Sequence, residues 1–409
     1  MYENFRSFKK LGGNTTYLLF LQIINFSIPL FVYPYLSNSI KQSEFSYILI
    51  TFSILNTFVI LNDYGFNQYG TYKIASKNND VTYINKITNE IILIKAILFI
   101  PLSLIVVLLS LQTNFYVFKE VIFTGLFSVF FQIFQPLWYF QGKNYFKKYF
   151  IYMSTVRILF ILLIFNINLE RNSAIQVILI WSISNFVGSL ISIKFLIDEG
   201  HKFYISSLKS LKILLIKSFE YFISRAAVSI YTTGTTFILG FFDFYGAAVF
   251  SIAEQFYRGV KALLATISQA VYPIVLKNKD LNYFYKVTAL GFVFTILISL
   301  ILYFFGGYLI TELFEKSYFE AVIILRYLSF VLLVHYFGLM FGYPLSSLLK
   351  KNRISNISVV YGLLIFILIS IALVLLNMMN SLSMVVSIFL VETFVFLFRV
   401  IKLRRIKLK

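Results

Sequence analysis

Residues Ile91–Leu111 read IILIKAILFIPLSLIVVLLSL, with Lys95 as the one charge. At about 1.5 Å of rise per residue, an α-helix of about 20 apolar residues crosses the roughly 30 Å of hydrocarbon in a bilayer. A soluble helix of that length would carry a polar stripe at helical spacing. Neither this stretch nor Val359–Leu376 has one. Comparable stretches occur on both sides and place spans at residues 14–36, 45–62, 90–111, 120–140, 149–168, 174–197, 213–240, 245–273, 285–305, 320–348, 355–376 and 380–401. The composition agrees. Hydrophobic residues make up 59% of the 409 and charged residues only 13%, against about a quarter charged in soluble domains. Mean hydropathy is +0.83. The chain reads as an all-α integral membrane protein of about twelve transmembrane helices.

Several chemistries find no residues here. There is no cysteine, hence no disulfide and no thiolate metal site. No G-x-x-x-x-G-K-[ST] phosphate loop, no G-x-S-x-G nucleophile turn and no Cys/His metal constellation occurs. No cofactor is expected. The basic start, with Arg6, Lys9 and Lys10, superficially resembles a signal peptide, but the apolar run Thr15–Leu36 is too long and lacks a small-residue cleavage site. It reads as a retained first span.

Loop charges alternate along the chain. One set of loops and termini holds 26 Lys and Arg, including Lys143, Lys147, Lys148, Lys350, Lys351 and the tail from Arg399 to Lys409. The opposite loops hold four: Lys41, Lys119, Arg171 and Lys316. By the positive-inside rule both termini are cytoplasmic and the span number is even. The net charge of +19 is then a topology signal near anionic headgroups, not a nucleic-acid patch. The polar stretch around Asp198–Leu211 divides the chain into two six-span halves, residues 1–200 and 201–409. Such halves suit a secondary transporter with its site near the bilayer midplane.

Six cations remain inside the spans: Lys95, Arg157, Arg225, Arg258, Lys261 and Arg326. An intramembrane cation is costly and normally faces a partner or a watery cavity. Lys95, one turn from Glu90, reads as a snorkelling residue. Arg225 has Glu220 as a local candidate partner. Glu254, Arg258 and Lys261 stand at i, i+4 and i+7 and share one helix face, which Gln269 continues. Glu254 and Arg258 can neutralise one another, and Lys261 then still needs a counter-charge. A net-positive stripe of this kind suits a translocated anion bearing phosphates. Glu392, mid-span, reads as a proton or sodium site or as the partner of a distant arginine. His335 reads as a structural hydrogen-bonding residue or a coupling group. Gly338-x-x-x-Gly342, followed by Pro344, permits close helix approach and a bend.

A family resemblance runs through these residues. Pro34-Tyr35-Leu36 with Glu44-Phe45-Ser46, then Asp63-Tyr64-Gly65-Phe66-Asn67, then Trp138-Tyr139-Phe140-Gln141-Gly142, are similar to motifs of Wzx-type O-antigen or polysaccharide flippases. That family belongs to the multidrug/oligosaccharidyl-lipid/polysaccharide (MOP) exporter superfamily. Phe222-Ile223-Ser224-Arg225, Tyr231-Thr232-Thr233, Leu239-Gly240, Ala253-Glu254-Gln255 and Gln269-Ala270-Val271-Tyr272-Pro273 continue the resemblance over essentially the whole chain. One departure is Tyr72, where family members often carry an arginine; Lys73 stands beside it.

The resemblance implies a MATE-like fold of two six-helix lobes around a V-shaped cavity, in the bacterial inner membrane. It implies a non-enzymatic flippase that turns oligosaccharide repeat units on undecaprenyl diphosphate to the outer leaflet, by alternating access coupled to H+ or Na+. Membrane lipids, a polysaccharide polymerase and a chain-length regulator would be its further partners. Arg157, Arg225, Arg258, Lys261 and Arg326 are the candidate substrate-binding cations, with Glu254, Glu392 and His335 as candidate coupling or gating groups. A drug-cation exporter on the same fold would place carboxylates in the majority inside the spans, and cations outnumber acids there. A membrane polysaccharide polymerase would carry a large outer loop with arginines, and Arg171 is the one arginine in the outer loops.

Overall fold

Helices form wherever the apolar runs stand and end where glycine, proline or a capping carboxylate interrupts them. The computed structural model describes residues 16–17, 20–77, 80–169, 173–204, 206–278 and 280–404, without the side chains of 270, 272–278 and 352. Arg6, Lys9, Lys10, Arg171, Lys279 and the last five residues lie outside the described residues, as do the side chains of Tyr272, Pro273 and Lys277.

Among the described residues there is no strand. The helices are α1 Phe20–Ser39, α2 Gln42–Asp63, α3 Phe66–Ser76, α4 Val81–Gln112, α5 Lys119–Gln132, α6 Leu137–Gly142, α7 Phe146–Asn166 and α8 Ser173–Asp198. They continue as α9 Leu208–Thr232, α10 Thr235–Gly240, α11 Phe244–Asn278, α12 Leu281–Leu313, α13 Glu320–Met340, α14 Tyr343–Leu348, α15 Asn352–Leu375 and α16 Ser381–Arg404. Ten helical stretches in the described residues are long and apolar enough to cross a membrane. They coincide with ten of the twelve expected spans. The other two fall on α9–α10 and α11, which carry Glu220 and Arg225, and Glu254, Arg258 and Lys261.

Local chemistry sets the ends. The Asp80 carboxylate accepts from Tyr83 N at 2.9 Å and starts α4, and Asp280 accepts from Asn282 N at 2.8 Å and starts α12. Four long helices are broken instead of continuous. α2 gives way to α3 through Tyr64 (φ 46°) and Gly65 (φ 76°), both left-handed. A Cβ on Gly65 would lie 2.7 Å from Phe222 N, so this close approach to α9 needs glycine in two ways. The α5–α6 break falls at Gln135–Pro136, the α9–α10 break at Thr233–Gly234 and the α13–α14 break at Phe341–Gly342. Irregular backbone at membrane depth is tolerated only where protein or a watery cavity covers it.

Two compact units result, Met1–Ala226 and Ala227–Lys409. Their boundary falls inside α9, whereas the polar connection near residue 200 precedes it. In the first unit a core of Ile91, Ile94, Trp138, Phe140, Tyr152 and Leu196 joins α4, α6, α7 and α8. In the second, α13 packs on α11, α12 and α16. Much apolar surface stays uncovered: Ile97, Ile100 and Leu104 of α4 are each at least half exposed. Only 22% of the apolar window of Val81–Gln112 is buried by protein, so hydrocarbon must cover the rest.

Candidate functional site: charges inside the helices

The left-handed turn after α2 leaves Asp63 buried at the helix end, and three elements converge on its carboxylate. Lys95 Nζ of α4 stands 3.9 Å from Oδ1. Arg225 Nη1 of α9 stands 3.7 Å from Oδ2, which also accepts from Asn67 N at 3.3 Å. Lys95 lies over the Trp138 ring, 4.9 Å from its centroid. Two of the motifs that carry the family resemblance, around Asp63 and Trp138, therefore meet in one structural cluster. Two expectations are corrected here. Lys95 is not a snorkelling residue: its side chain is 7% exposed because its face of α4 turns inward onto α2 and α6. Arg225 pairs with Asp63 and not with Glu220, which is exposed.

Arg157 of α7 has a different setting. Its Nε donates to Asn25 Oδ1 at 3.0 Å, and its guanidinium lies 4.6 Å from the Trp181 ring centroid. Among the described residues no carboxylate comes within 4.0 Å of it. The guanidinium is thus held over an aromatic face, and no carboxylate among the described residues pairs with its charge.

In the second unit Glu254, Arg258 and Lys261 of the α11 stripe face inward, whereas Gln269, expected to continue it, is exposed. Arg258 Nε is 3.6 Å from Glu254 Oε1, and Thr236 Oγ1 donates to Glu254 Oε2 at 3.3 Å. Lys261 Nζ lies 3.7 Å from Glu392 Oε1 of α16. The same oxygen takes His335 Nδ1 of α13 at 2.9 Å. Glu392 is the counter-charge that Lys261 lacks on its own helix. With His335 neutral these charges sum to zero, so the expected net-positive stripe is balanced by α16. Val228, Thr232, Glu254, Arg258, Lys261 and Ile388 line a cavity of about 260 Å³. Arg326 is not among its lining residues. It is exposed on the face of α13 against α12, over Tyr303 at 5.2 Å, whereas Leu328, two residues on and nearly opposite around the helix, lines the cavity.

Arg399 is a residue that sequence reasoning misplaced in the basic tail. It is 8% exposed. Nε donates to Ser358 Oγ at 2.8 Å and Nη2 to Ser355 O at 3.2 Å. Nη1 donates to Gly338 O. Its place seven residues after Glu392, hence on the same face of α16, is the signal that would have flagged it. No such signal exists for Asp63 and Lys95, which lie on different helices.

Beyond the spans, Lys148 pairs with Glu199 after α8. Burial pushes the Glu199 carboxyl up, but hydrogen bonds from Lys148 and Tyr145 win and hold it below its ordinary value. Burial and the Glu199 carboxylate together push the Tyr145 phenol up to about 12. His201, in the connection before α9, is pushed down to about 4 by burial. Its Nδ1 lies 2.7 Å from Asn85 Oδ1. Among the described residues no group of three or more His, Asp or Glu is placed to hold a metal ion.

Comparison with known proteins agrees with this architecture. A family profile described as "Polysaccharide biosynthesis protein" matches residues 11–279. A protein of Escherichia coli (strain K12) named "Putative O-antigen transporter" is 27% identical over 276 residues, 66% of this chain and 66% of its own length. The match thus covers just under two thirds of that relative. A protein of Shigella dysenteriae with the same name is 26% identical over 311 residues, 75% of this chain and 78% of its own length. Among solved structures, "Lipid II flippase MurJ, inward closed conformation" superposes with a TM-score of 0.78 at 15% identity, covering 96% of this chain and 87% of that one. A multidrug resistance MATE family transporter of the MOP superfamily, in an outward-facing conformation, gives 0.57 at 13% identity, covering 98% and 94%. At such identities the likeness is one of fold, and the fold is of the MATE and MurJ type. The apolar helices and the relatives together make this a multi-pass protein of the bacterial inner membrane. With the family profile matching well over half its length, the chain belongs to the polysaccharide biosynthesis protein family.

Proposed function

We propose that the protein is a flippase that carries oligosaccharide repeat units, linked to undecaprenyl diphosphate, across the inner membrane for O-antigen or another surface polysaccharide. The relatives' printed name, O-antigen transporter, supports the class of cargo. The observation that carries the substrate chemistry is Arg157: an intramembrane guanidinium, oriented by Asn25 and Trp181, with no carboxylate among the described residues within 4.0 Å. Such a group is stabilised by an anion arriving from outside, and a diphosphate accepts a guanidinium in bidentate fashion. Arg225, Arg258 and Lys261 are the further substrate-binding cations of this reading, each held in reserve by a carboxylate that the phosphate would replace. Glu392, His335 and Glu254 form the coupling machinery. A proton on Glu392 would free Lys261, so charge is handed from ion to cargo within an alternating-access cycle of the two halves.

The test is flipping of undecaprenyl-diphosphate-linked oligosaccharide by the full-length protein in proteoliposomes. Arg157→Ala is expected to lower the rate at least tenfold with unchanged thermal stability, and Arg157→Lys to retain part of it. Flipping at the wild-type rate by Arg157→Ala would overturn the assigned role. Both termini are proposed to be cytoplasmic. Because the chain has no cysteine, a single cysteine at position 402 should react with an impermeant maleimide only after the inner membrane is breached.

A further inference from the structure

Arg326 does not line the cavity beside Lys261, and its surroundings point to a different ligand. α12 and α13 run antiparallel: Gly307 lies opposite Val322, Tyr303 opposite Arg326 and Gly291 opposite Tyr336. Along their exposed seam lies an apolar cavity of about 120 Å³, lined by Ile296, Ser299, Tyr303, Ser329, Phe330 and Leu333 among others. Arg326 stands at one end of it, its guanidinium over the Tyr303 ring that also lines the cavity. It is exposed, and among the described residues no carboxylate lies within 4.0 Å of it. Six residues into α13, roughly 9 Å from the helix start, it can snorkel to the depth of lipid phosphates.

A second, independent feature lies deeper in the seam. Ser299 is 6% exposed, and its hydroxyl has no hydrogen-bond partner among the described residues. Ser329, which lines the same cavity, is satisfied by donating to the Arg326 carbonyl at 2.6 Å. A buried, unpaired hydroxyl is costly unless a ligand supplies an acceptor. Moving inward from Arg326, the seam therefore passes a cation, then Ser299 with its buried orphan hydroxyl, then apolar walls at Ile296 and Leu333.

We propose that this seam binds one membrane glycerophospholipid. Its phosphate lies against Arg326, an ester carbonyl accepts from Ser299, and the acyl chain fills the cavity. That order of charge, acceptor and hydrocarbon is the order along an ester-linked phospholipid. A polyprenyl diphosphate has the charge and the hydrocarbon but no ester for Ser299, and its two phosphates call for more than one cation. The inference stands apart from the flippase reading, since no residue of the transport path takes part.

The test is native mass spectrometry of the delipidated full-length protein titrated with dioleoylphosphatidylglycerol, its diether analogue, undecaprenyl phosphate and inorganic phosphate. Wild type is expected to bind the diester lipid about tenfold more tightly than Arg326→Gln does, a difference of about 1.4 kcal/mol. Binding of the diether should be weaker than that of the diester in wild type and equal to it in Ser299→Ala. Leu333→Trp, which fills the seam and leaves Arg326 in place, should also lose the lipid. Inorganic phosphate should not compete. Equal affinity of wild type and Arg326→Gln for the diester lipid would overturn the proposal, as would undecaprenyl phosphate displacing it at equal concentration.

Discussion

Lys95 shows what a single intramembrane charge demands. Its ammonium is buried, stands 3.9 Å from Asp63 and rests on Trp138, while Arg225 takes the other oxygen of Asp63. Removing one member of a buried charge cluster leaves the others uncompensated, typically at a cost of about 3–5 kcal/mol. Asp63→Asn strands two cations and Lys95→Met strands none completely, because Arg225 still holds Asp63. Asp63→Asn is therefore expected to destabilise the detergent-solubilised protein by about 3–5 kcal/mol and Lys95→Met by less. The double variant should recover part of the loss, and thermal unfolding of the four proteins measures the coupling. Additive effects would mean that Lys95 and Asp63 do not interact.

The connection between α8 and α9 is held down by the first turns of α4. Asn89 Nδ2 donates to Lys202 O at 2.8 Å and Asn89 Oδ1 accepts from Tyr204 N at 3.3 Å, and His201 meets Asn85 one turn earlier. Burial lowers the His201 pKa to about 4, so the fold favours the neutral ring. That stability is complete above the unfolded value of about 6.5 and is lost progressively as pH falls toward 4. Melting temperatures across this window should fall in wild type and fall less steeply in His201→Gln; parallel slopes would remove His201 from the account. The helices themselves were legible, because a run such as Ile91–Leu111 has no other stable state in a bilayer. The breaks within expected spans 4 and 7 were not, since Gln135–Pro136 and Thr233–Gly234 interrupt runs whose hydropathy barely changes. The stripe on α11 was legible from i, i+4 spacing. Its partner Glu392 was not, because pairing across helices leaves no mark in linear spacing.

For the molecule as a whole, the second unit gathers its ionisable groups on few contacts. Glu392 Oε1 alone serves both Lys261 and His335. If that oxygen is the coupling site, Glu392→Gln should leave downhill flipping in proteoliposomes near the wild-type rate. Accumulation driven by an imposed pH or sodium gradient should disappear. Gradient-driven accumulation in Glu392→Gln would assign coupling elsewhere. A Cβ on Gly338 would lie 3.7 Å from Glu392 Oε2, and the carbonyl of the same residue receives Arg399. One position without a side chain thus stands between an acid and a base that share a face of α16. Over evolutionary time such a position has little freedom of its own. In diverging members of the family, substitutions at 338, 392 and 399 are expected to arrive together, so that sequence covariation should report this three-way contact.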